Sequence, residues 1–500
     1  MLFTSTRCRR SLESAQVITR GISEEGGLFV PQSFPVLTDP MIDRMIPMNY
    51  KDRAKTVLPL FLTDFSAAEI ERCVEGAYTG TFENEDPAPL REVAPGMNLL
   101  ELWHGPTCAF KDMALQLLPY LLTAAAGKTA PGRTMVILVA TSGDTGKAAL
   151  DGFAGVENTR IIVFFPQDGV SPMQKLQMTT QTGDNVAVSA IFGNFDDAQT
   201  GVKNIFADPG MKEFLQDHRM EFSSANSINF GRLVPQIVYY VSAYCDLLKN
   251  GRIRKGEKFN VAVPTGNFGN ILAAVYAKYM GVPIARFICA SNRNKVLTDF
   301  IRTGTYDRNR TFYTTTSPSM DILISSNLER LLYHLGGGDP ERVRSLMDRL
   351  KTDGKYTVPP EMLSALQQDF YGGFCDDGEA GKTIAALFRE RHYLCDPHTA
   401  VAVNVYGQYV RETSDRTPCV IASTASPFKF ARAVLSAVSP DPLPDDEFFM
   451  VEKLAALSGS PVPPPLAGLK NRPVLHRSCV NKEEMGGFIR DFLCGGGSDR

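Results

Sequence analysis

The sequence predicts an α/β protein whose parallel sheets are covered by helices on both faces. Continuously apolar segments at 135–140, 160–166, 259–264, 284–290 and 419–422 alternate with helical patterns. Such strands are typical of parallel sheets that are buried on both sides. Polar, glycine-containing loops follow several of them and lead into helices, which is where α/β proteins bind ligands.

Composition limits the function classes. The chain has 500 residues and is 44% hydrophobic, so it can form more than one sizeable core. Its formal net charge of −3 and its short basic clusters predict no nucleic-acid or membrane partner. No apolar stretch has the length of a membrane span or a signal peptide. The ten cysteines include no Cys-x-x-Cys pair, which predicts no metal site and a reducing, cytoplasmic location.

The chain divides into three predicted regions. Residues 41–60 and 67–78 carry apolar residues at helical spacing, which predicts a helical accessory region over 1–95. The alternation of strands and helices begins near Leu99. We therefore expect one α/β domain over 96–255 and a second over 256–500.

The segment 104–112 places one lysine, Lys111, between a Gly-Pro turn and a long apolar run. A lysine that enters such a run is partly removed from water, which lowers its pKa. A neutral amine can form a Schiff base with a carbonyl cofactor. The alternative is an ammonium exposed in the first turn of a helix. His104 and Asp112 either tune this lysine or serve as structural hydrogen-bonding groups.

Three strand-end loops are candidate binding sites. The loop at 141–147 fails the P-loop pattern, because Thr141 replaces glycine and Ala148 follows the lysine. Its hydroxyls suit a carboxylate or cap the next helix. The glycines of the loop at 266–270 allow the backbone to come close to a bound phosphate. Alternatively, they serve only to let the next helix pack tightly. In the loop at 422–430, a hydroxyl can bond a ring nitrogen or cap a helix.

Four motifs occur in a fixed order: His-Gly-Pro-Thr-x-x-Phe-Lys-Asp, Ala-Thr-Ser-Gly-Asp-Thr-Gly, Asn-Ser-Ile-Asn and Pro-Thr-Gly-Asn-Phe-Gly-Asn. In this order they resemble the threonine synthases, in particular the longer branch found in bacteria and fungi. The resemblance extends from about residue 5 to about residue 490. It implies fold type II of the pyridoxal phosphate enzymes (tryptophan synthase β-like), with two doubly wound α/β domains and a helical N-terminal extension.

The resemblance also implies roles for particular residues. Lys111 carries pyridoxal 5'-phosphate as a Schiff base and is the catalytic residue, with Asp144 near the phenolic oxygen and Thr424 near the pyridine nitrogen. The loop that holds the cofactor phosphate consists of Gly266, Asn267, Phe268, Gly269 and Asn270. The substrate carboxylate is assigned to Ser142, Gly143 and Thr145. The substrate phosphate is assigned to Ser224, Asn226, Ser227 and Arg232.

The implied reaction converts O-phospho-L-homoserine and water to L-threonine and phosphate, the last step of threonine biosynthesis, in a monomer or homodimer. One alternative is a related phospho-lyase that releases 2-oxobutyrate, ammonia and phosphate. Another is a non-catalytic protein that retains the scaffold. Ser426 departs from the family pattern, because many relatives have histidine there in a Thr-Ala-His-Pro sequence.

Overall fold

The computed structural model describes residues 1–141, 143–168 and 170–495. Its strands are β1 (Phe3–Ser5), β2 (Phe29–Pro31), β3 (Leu90–Ala94), β4 (Met97–Glu101), β5 (Thr134–Ala140), β6 (Thr159–Pro166), β7 (Val186–Ile191), β8 (Met220–Ser223), β9 (Phe259–Pro264), β10 (Ile284–Ser291), β11 (Thr305–Asp307), β12 (Lys355–Thr357), β13 (Phe370–Phe374), β14 (Cys419–Ser423) and β15 (Ser478–Val480).

The α-helices of the described residues are α1 (Ser14–Arg20), α2 (Asp39–Met45), α3 (Tyr50–Phe61), α4 (Ala67–Tyr78), α5 (Asp112–Leu115), α6 (Leu118–Thr129), α7 (Asp144–Phe153), α8 (Pro172–Thr179), α9 (Phe195–Ala207), α10 (Pro209–Asp217), α11 (Phe230–Lys249), α12 (Gly269–Tyr279), α13 (Val296–Thr303), α14 (Leu328–Leu335), α15 (Pro340–Thr352), α16 (Pro360–Asp369), α17 (Asp377–Arg391), α18 (Pro397–Thr413), α19 (Ala431–Val438), α20 (Glu447–Ser458) and α21 (Met485–Leu493).

Two mainly parallel sheets form the centre of the fold, as the apolar segments predict. The larger has the strand order β13-β10-β9-β14-β4-β3, and the smaller has the order β15-β7-β6-β5-β8. Within these two sheets, every pair of neighbouring strands is parallel except β3 with β4. Strands such as β9 are buried along their whole length, because helices cover both faces. The α/β prediction is confirmed.

Sheet membership crosses the predicted boundary between residues 255 and 256 in two places. β4 falls in the segment predicted as the 96–255 domain, yet it pairs with β14 of the larger sheet. β15 falls in the 256–500 segment, yet it pairs with β7 of the smaller sheet. Local patterns identify strands, whereas the choice of neighbour depends on contacts between segments that are distant in the chain.

The N-terminal region is largely helical. Helix α4 begins at a capping box in which Ser66 and Glu69 each accept a hydrogen bond from the other's backbone amide. Asn49 caps the start of helix α3, because its side chain accepts a hydrogen bond from the Asp52 amide. Helix α3 packs against α11. This region is therefore joined to the core that carries the candidate site.

Other features bear on the composition-based expectations. All ten cysteines lie within the described residues and are free, and seven of them are buried. No helix in the described part of the chain combines the length and apolarity required to cross a membrane. Over the same ranges, no group of three or more histidine, cysteine or acidic side chains could hold a metal ion.

Candidate active site

Lys111 directly precedes α5 and belongs to a segment that is bound to the loop after β14. The Phe110 amide donates to the Thr424 carbonyl at 2.8 Å, and the Ser426 amide donates to the Cys108 carbonyl at 3.0 Å. This antiparallel bridge brings the predicted lysine segment and the predicted Thr424 loop into one site.

The amine of Lys111 is nearly buried at the ends of both sheets. Its Nζ donates to Ser319 Oγ at 3.2 Å and to Asp144 Oδ2 at 3.5 Å, and its side chain is 11% exposed. Burial lowers the pKa of Lys111, and the positive charges of Lys429 and Arg232 lower it further, while Asp144 raises it. The net pKa is lowered, as the sequence predicts, which favours the neutral amine.

Asp144 lies in the first turn of α7 and is a carboxylate. Its Oδ1 accepts from Lys429 Nζ at 2.9 Å and from Gln174 Nε2 at 2.8 Å. Burial alone would raise the pKa of Asp144, but the ammonium groups of Lys429 and Lys111 hold it well below its usual range. The site therefore contains a fixed negative charge beside Lys111.

The sequence analysis missed Lys429. Its side chain is 0% exposed, and its Nζ also donates to the Thr107 carbonyl at 2.7 Å. The sequence does carry a signal for this residue, because Lys429 lies between Phe428 and Phe430 in a strand-end loop. Its contact with Thr107 joins residues 322 positions apart, which no local pattern reports.

Ser319 was also missed. It lies in the short 3₁₀ segment Pro318–Met320, and its amide donates to His398 Nε2 at 3.2 Å. His398 Nδ1 lies 2.6 Å from Asp396 Oδ2. These partners assign the proton to Nδ1, so that Nε2 accepts. Asp396, His398 and Ser319 thus form a chain of contacts that ends at Lys111.

The 266–270 loop leaves β9 close to the lysine. A Cβ on Gly266 would come within 2.6 Å of the Ser319 carbonyl oxygen, so this position requires glycine. Phe268 is in the left-handed conformation, with φ of +65°, at the start of α12. Nδ2 of Asn270 is buried and has no hydrogen-bond partner among the described residues. The loop therefore approaches the site closely and retains a free donor.

Helix α11 contributes Arg232 to the same region. Its Nη1 donates to the Ala225 carbonyl at 3.0 Å, while its Nε is buried without a hydrogen-bond partner in the described part of the chain. Burial lowers the pKa of Arg232 to about 10. This buried cation, with a free donor near Lys111, is suited to an anion.

Other predicted substrate residues lie at the edges of the site. Ser224, Asn226 and Ser227 form hydrogen bonds with described residues only inside their own loop, and Asn226 is exposed. Gly143 has a φ of +145°, and a Cβ there would lie 2.6 Å from the Gln174 amide. Thr145 is half-buried in the first turn of α7. Ser142 lies outside the described residues.

The two flanking residues have structural contacts. His104 lies between carboxylates, with Nε2 2.9 Å from Glu101 and Nδ1 3.4 Å from Glu83. Asp112 is buried and accepts from the Thr107 amide at 2.8 Å and its hydroxyl at 2.6 Å. Burial raises the pKa of Asp112 to about 6. Both contacts stabilise the turn that carries Lys111.

The comparisons with known proteins identify the class. Residues 99–424 match the family described as "Pyridoxal-phosphate dependent enzyme", so the chain belongs to this class and its cofactor is pyridoxal 5'-phosphate. Residues 2–78 match "Threonine synthase N terminus" and residues 399–484 match "Threonine synthase, C-terminal". The chain belongs to the threonine synthase family.

Individual relatives agree with this assignment. Threonine synthase from Pseudomonas aeruginosa is 40% identical, over 87% of this chain and 90% of its own. Threonine synthase-like 1 from Homo sapiens is 42% identical over 85% of this chain, which spans only 58% of that longer relative. The crystal structure of PLP-bound threonine synthase from Brucella melitensis has a TM-score of 0.87 and 36% identity, with 99% of each chain covered. The fold is that of the fold type II enzymes.

The described residues fit this cofactor. The amine of Lys111 is nearly buried and its pKa is lowered, and both favour reaction with an aldehyde. The 266–270 loop comes close to the site because Gly266 has no side chain, and Asn270 has a buried donor with no partner in the described part of the chain. Both features suit a phosphate group.

Proposed function

We propose that this protein is a threonine synthase, which converts O-phospho-L-homoserine and water to L-threonine and phosphate. The observation that carries the proposal is the amine of Lys111, nearly buried, of lowered pKa and bound to Asp144 and Ser319. The buried Nε of Arg232, which has no hydrogen-bond partner among the described residues, adds an anion-binding group near that amine. Family membership supports the same reaction.

The cofactor would be held by residues from several loops. Lys111 would bind its aldehyde, the 266–270 loop its phosphate, Thr424 its pyridine nitrogen and Asp144 its phenolic oxygen. When bound, pyridoxal phosphate supplies an electron sink for the charge that develops at the substrate Cα.

The substrate would be bound at its two anionic ends. Gly143 and Thr145, together with Ser142, would bind the carboxylate at the start of α7, where free amides and the helix dipole favour an anion. Arg232 would bind the substrate phosphate, assisted by the loop that contains Ser224, Asn226 and Ser227. A guanidinium suits the several oxygens of a phosphate, and burial strengthens the ion pair.

Lys111 would move the protons. It takes the Cα proton, releases it within the site and then takes a Cβ proton, after which the bond between Cγ and the phosphate oxygen breaks with its electron pair on phosphate. A proton is then added at Cγ, water supplies a hydroxyl to Cβ, and Cα regains its proton. The sum is one water consumed and one phosphate released, without oxidation or reduction. Asp144 and Ser319 hold Lys111 in place for these transfers.

The test is an assay of cofactor-loaded protein with O-phospho-L-homoserine. We expect threonine and phosphate in equal amounts. We expect Lys111→Ala to lose at least about 10³-fold of this activity, because the proton-transfer group is removed. Lys128→Ala is the matched control, since Lys128 pairs with Glu69 away from the site. Absence of turnover in the wild-type protein would contradict the proposal.

A second candidate is a phospho-lyase that yields 2-oxobutyrate, ammonia and phosphate. It is favoured by Ser426, whose hydroxyl is buried without a hydrogen-bond partner among the described residues, at a position where the family pattern has histidine. The same assay distinguishes the two reactions by product. Ser426→His would shift the products toward threonine if this position directs the outcome.

We also propose a cytoplasmic location and a monomeric or homodimeric state. The ten free cysteines, seven of them buried, support a reducing compartment. Light scattering of the purified protein tests the oligomeric state, and cell fractionation tests the location.

A further inference from the structure

Lys429 is a buried cation whose position is defined by two contacts. Its Nζ lies 2.9 Å from Asp144 Oδ1 and donates to the Thr107 carbonyl at 2.7 Å. A buried ammonium has lost its hydration, so it is tolerated only where protein groups compensate. These two oxygens supply that compensation.

The two contacts connect the two sheets. Thr107 follows β4 of the larger sheet, Asp144 follows β5 of the smaller sheet, and Lys429 itself follows β14. The ammonium therefore joins the carboxyl ends of strands from both sheets at the position where Lys111 lies.

Asp144 is shared unequally between two lysines. Its Oδ1 lies 2.9 Å from Lys429, whereas its Oδ2 lies 3.5 Å from Lys111. The shorter ion pair balances much of the carboxylate charge, which leaves less of it to stabilise a proton on Lys111. The pKa directions agree, since Lys429 lowers the pKa of both Asp144 and Lys111.

We propose that Lys429 is a positioning residue that keeps Asp144 ionised and leaves the nitrogen of Lys111 free to lose its proton. The effect acts through Asp144 and through the direct repulsion between the charges of Lys429 and Lys111, and it requires no contact between Lys429 and substrate. The charged and titratable groups that act on these two lysines, besides each other, are Asp144, Arg232, Asp112 and Cys108. The inference rests on the bound cofactor and is independent of which product is released.

The test is a pH titration of the visible absorbance of the cofactor-loaded protein without substrate. This spectrum reports protonation of the Lys111 nitrogen that is bonded to the cofactor. Lys429→Gln removes the positive charge but can still donate to the Thr107 carbonyl. We expect its titration midpoint to rise by about one pH unit or more, because the carboxylate then stabilises the proton on Lys111 alone.

Two further variants separate charge from structure. Asp144→Asn should lower the midpoint, because it removes the negative charge, so the two substitutions shift it in opposite directions. Lys429→Arg keeps the charge and should restore a midpoint near that of the wild type. Lys128→Gln is the matched surface control and should leave the midpoint unchanged.

Several outcomes would overturn the inference. These are an unmoved midpoint in Lys429→Gln, a rise of equal size in Lys429→Arg, or an unmoved or raised midpoint in Asp144→Asn. If Lys429→Gln does not fold, the titration midpoints of Lys429→Arg and Asp144→Asn still test the inference. The spectrum does not depend on the product, so failure here is distinguishable from failure of the proposed reaction.

Discussion

Two buried cations in this protein are held in different ways. In the lysine cluster (Lys111, Asp144 and Lys429), the cation Lys429 pairs with a carboxylate. In the Arg330 junction (Arg330 with Phe29, Ile228 and Asn327), the guanidinium donates to three neutral oxygens. These are the Phe29 carbonyl at 2.8 Å, the Ile228 carbonyl at 2.5 Å and the Asn327 side chain.

The difference separates two uses of a buried charge. In the lysine cluster, removal of one charge changes the protonation of its neighbours. In the Arg330 junction, the guanidinium ties the N-terminal region to the loop before α11 and to Asn327, which itself binds the Asn267 carbonyl. Burial lowers the pKa of Arg330 to about 10, which still leaves it charged near neutral pH. We therefore expect substitutions in the first region to alter titration and those in the second to alter stability.

The largest expected effect is on stability at the Arg330 junction. Arg330→Met would leave its three acceptor oxygens unsatisfied in the interior, and we expect the free energy of unfolding to fall by about 3–5 kcal/mol. Urea unfolding measures the change. The control is Arg389→Met, whose side chain is 73% exposed and where we expect less than about 0.5 kcal/mol. Equal effects of the two substitutions would remove the distinction between the two regions.

The next effect concerns the pH dependence of stability at Asp112, beside the lysine cluster. The pKa of Asp112 is raised to about 6 in the folded protein, above its ordinary value of 3.8. Its protonated form therefore stabilises the fold fully below pH about 4, and this stabilisation is lost as the pH rises through about 6.

Asp112→Asn does not titrate, so it isolates this contribution. We expect the stability of the wild type relative to the variant to fall by about 2.4 kcal/mol between pH 4 and pH 7. Urea unfolding at several pH values measures the difference. A difference that stays constant with pH would contradict the raised pKa.

The smallest effect tests the close approach of the 266–270 loop to the lysine cluster. Gly266→Ala would place a Cβ 2.6 Å from the Ser319 carbonyl oxygen, and we expect cofactor affinity to weaken about tenfold. Gly127→Ala is the control, because Gly127 lies in α6 outside this loop and an added Cβ would meet no described atom within 4 Å. Titration of the apo protein with pyridoxal phosphate measures both affinities. Equal affinities in the two variants would show that the loop tolerates the added atom.

Local patterns were sufficient for much of the fold and part of the site. The apolar segments at 135–140 and 259–264 predicted β5 and β9 closely, because a buried strand must be apolar on both faces. Lys111 was identified because a lysine at the start of an apolar run is unusual, and the family motif is specific. The lowered pKa of Lys111 followed from the same local reasoning.

The charge state of Asp144 could not be predicted in this way. It depends on Lys429, which follows a strand of the larger sheet, whereas Asp144 follows a strand of the smaller sheet. The two residues are far apart in the chain. Ser319 likewise reaches Lys111 from a segment 208 positions away in the chain. Sheet pairing of β4 with β14 and of β15 with β7 has the same origin.

The sequence by itself determined the α/β class and the family, and it predicted a reactive role for Lys111. Each of these depends on short segments of the sequence, in which the spacing of apolar and polar residues limits the local structure. Only the tertiary structure decided which strands share a sheet, that Asp144 is ionised, and that Lys429 and Ser319 belong to the site. These properties arise from electrostatic and packing contacts between distant segments, and such contacts exist only once the chain has folded.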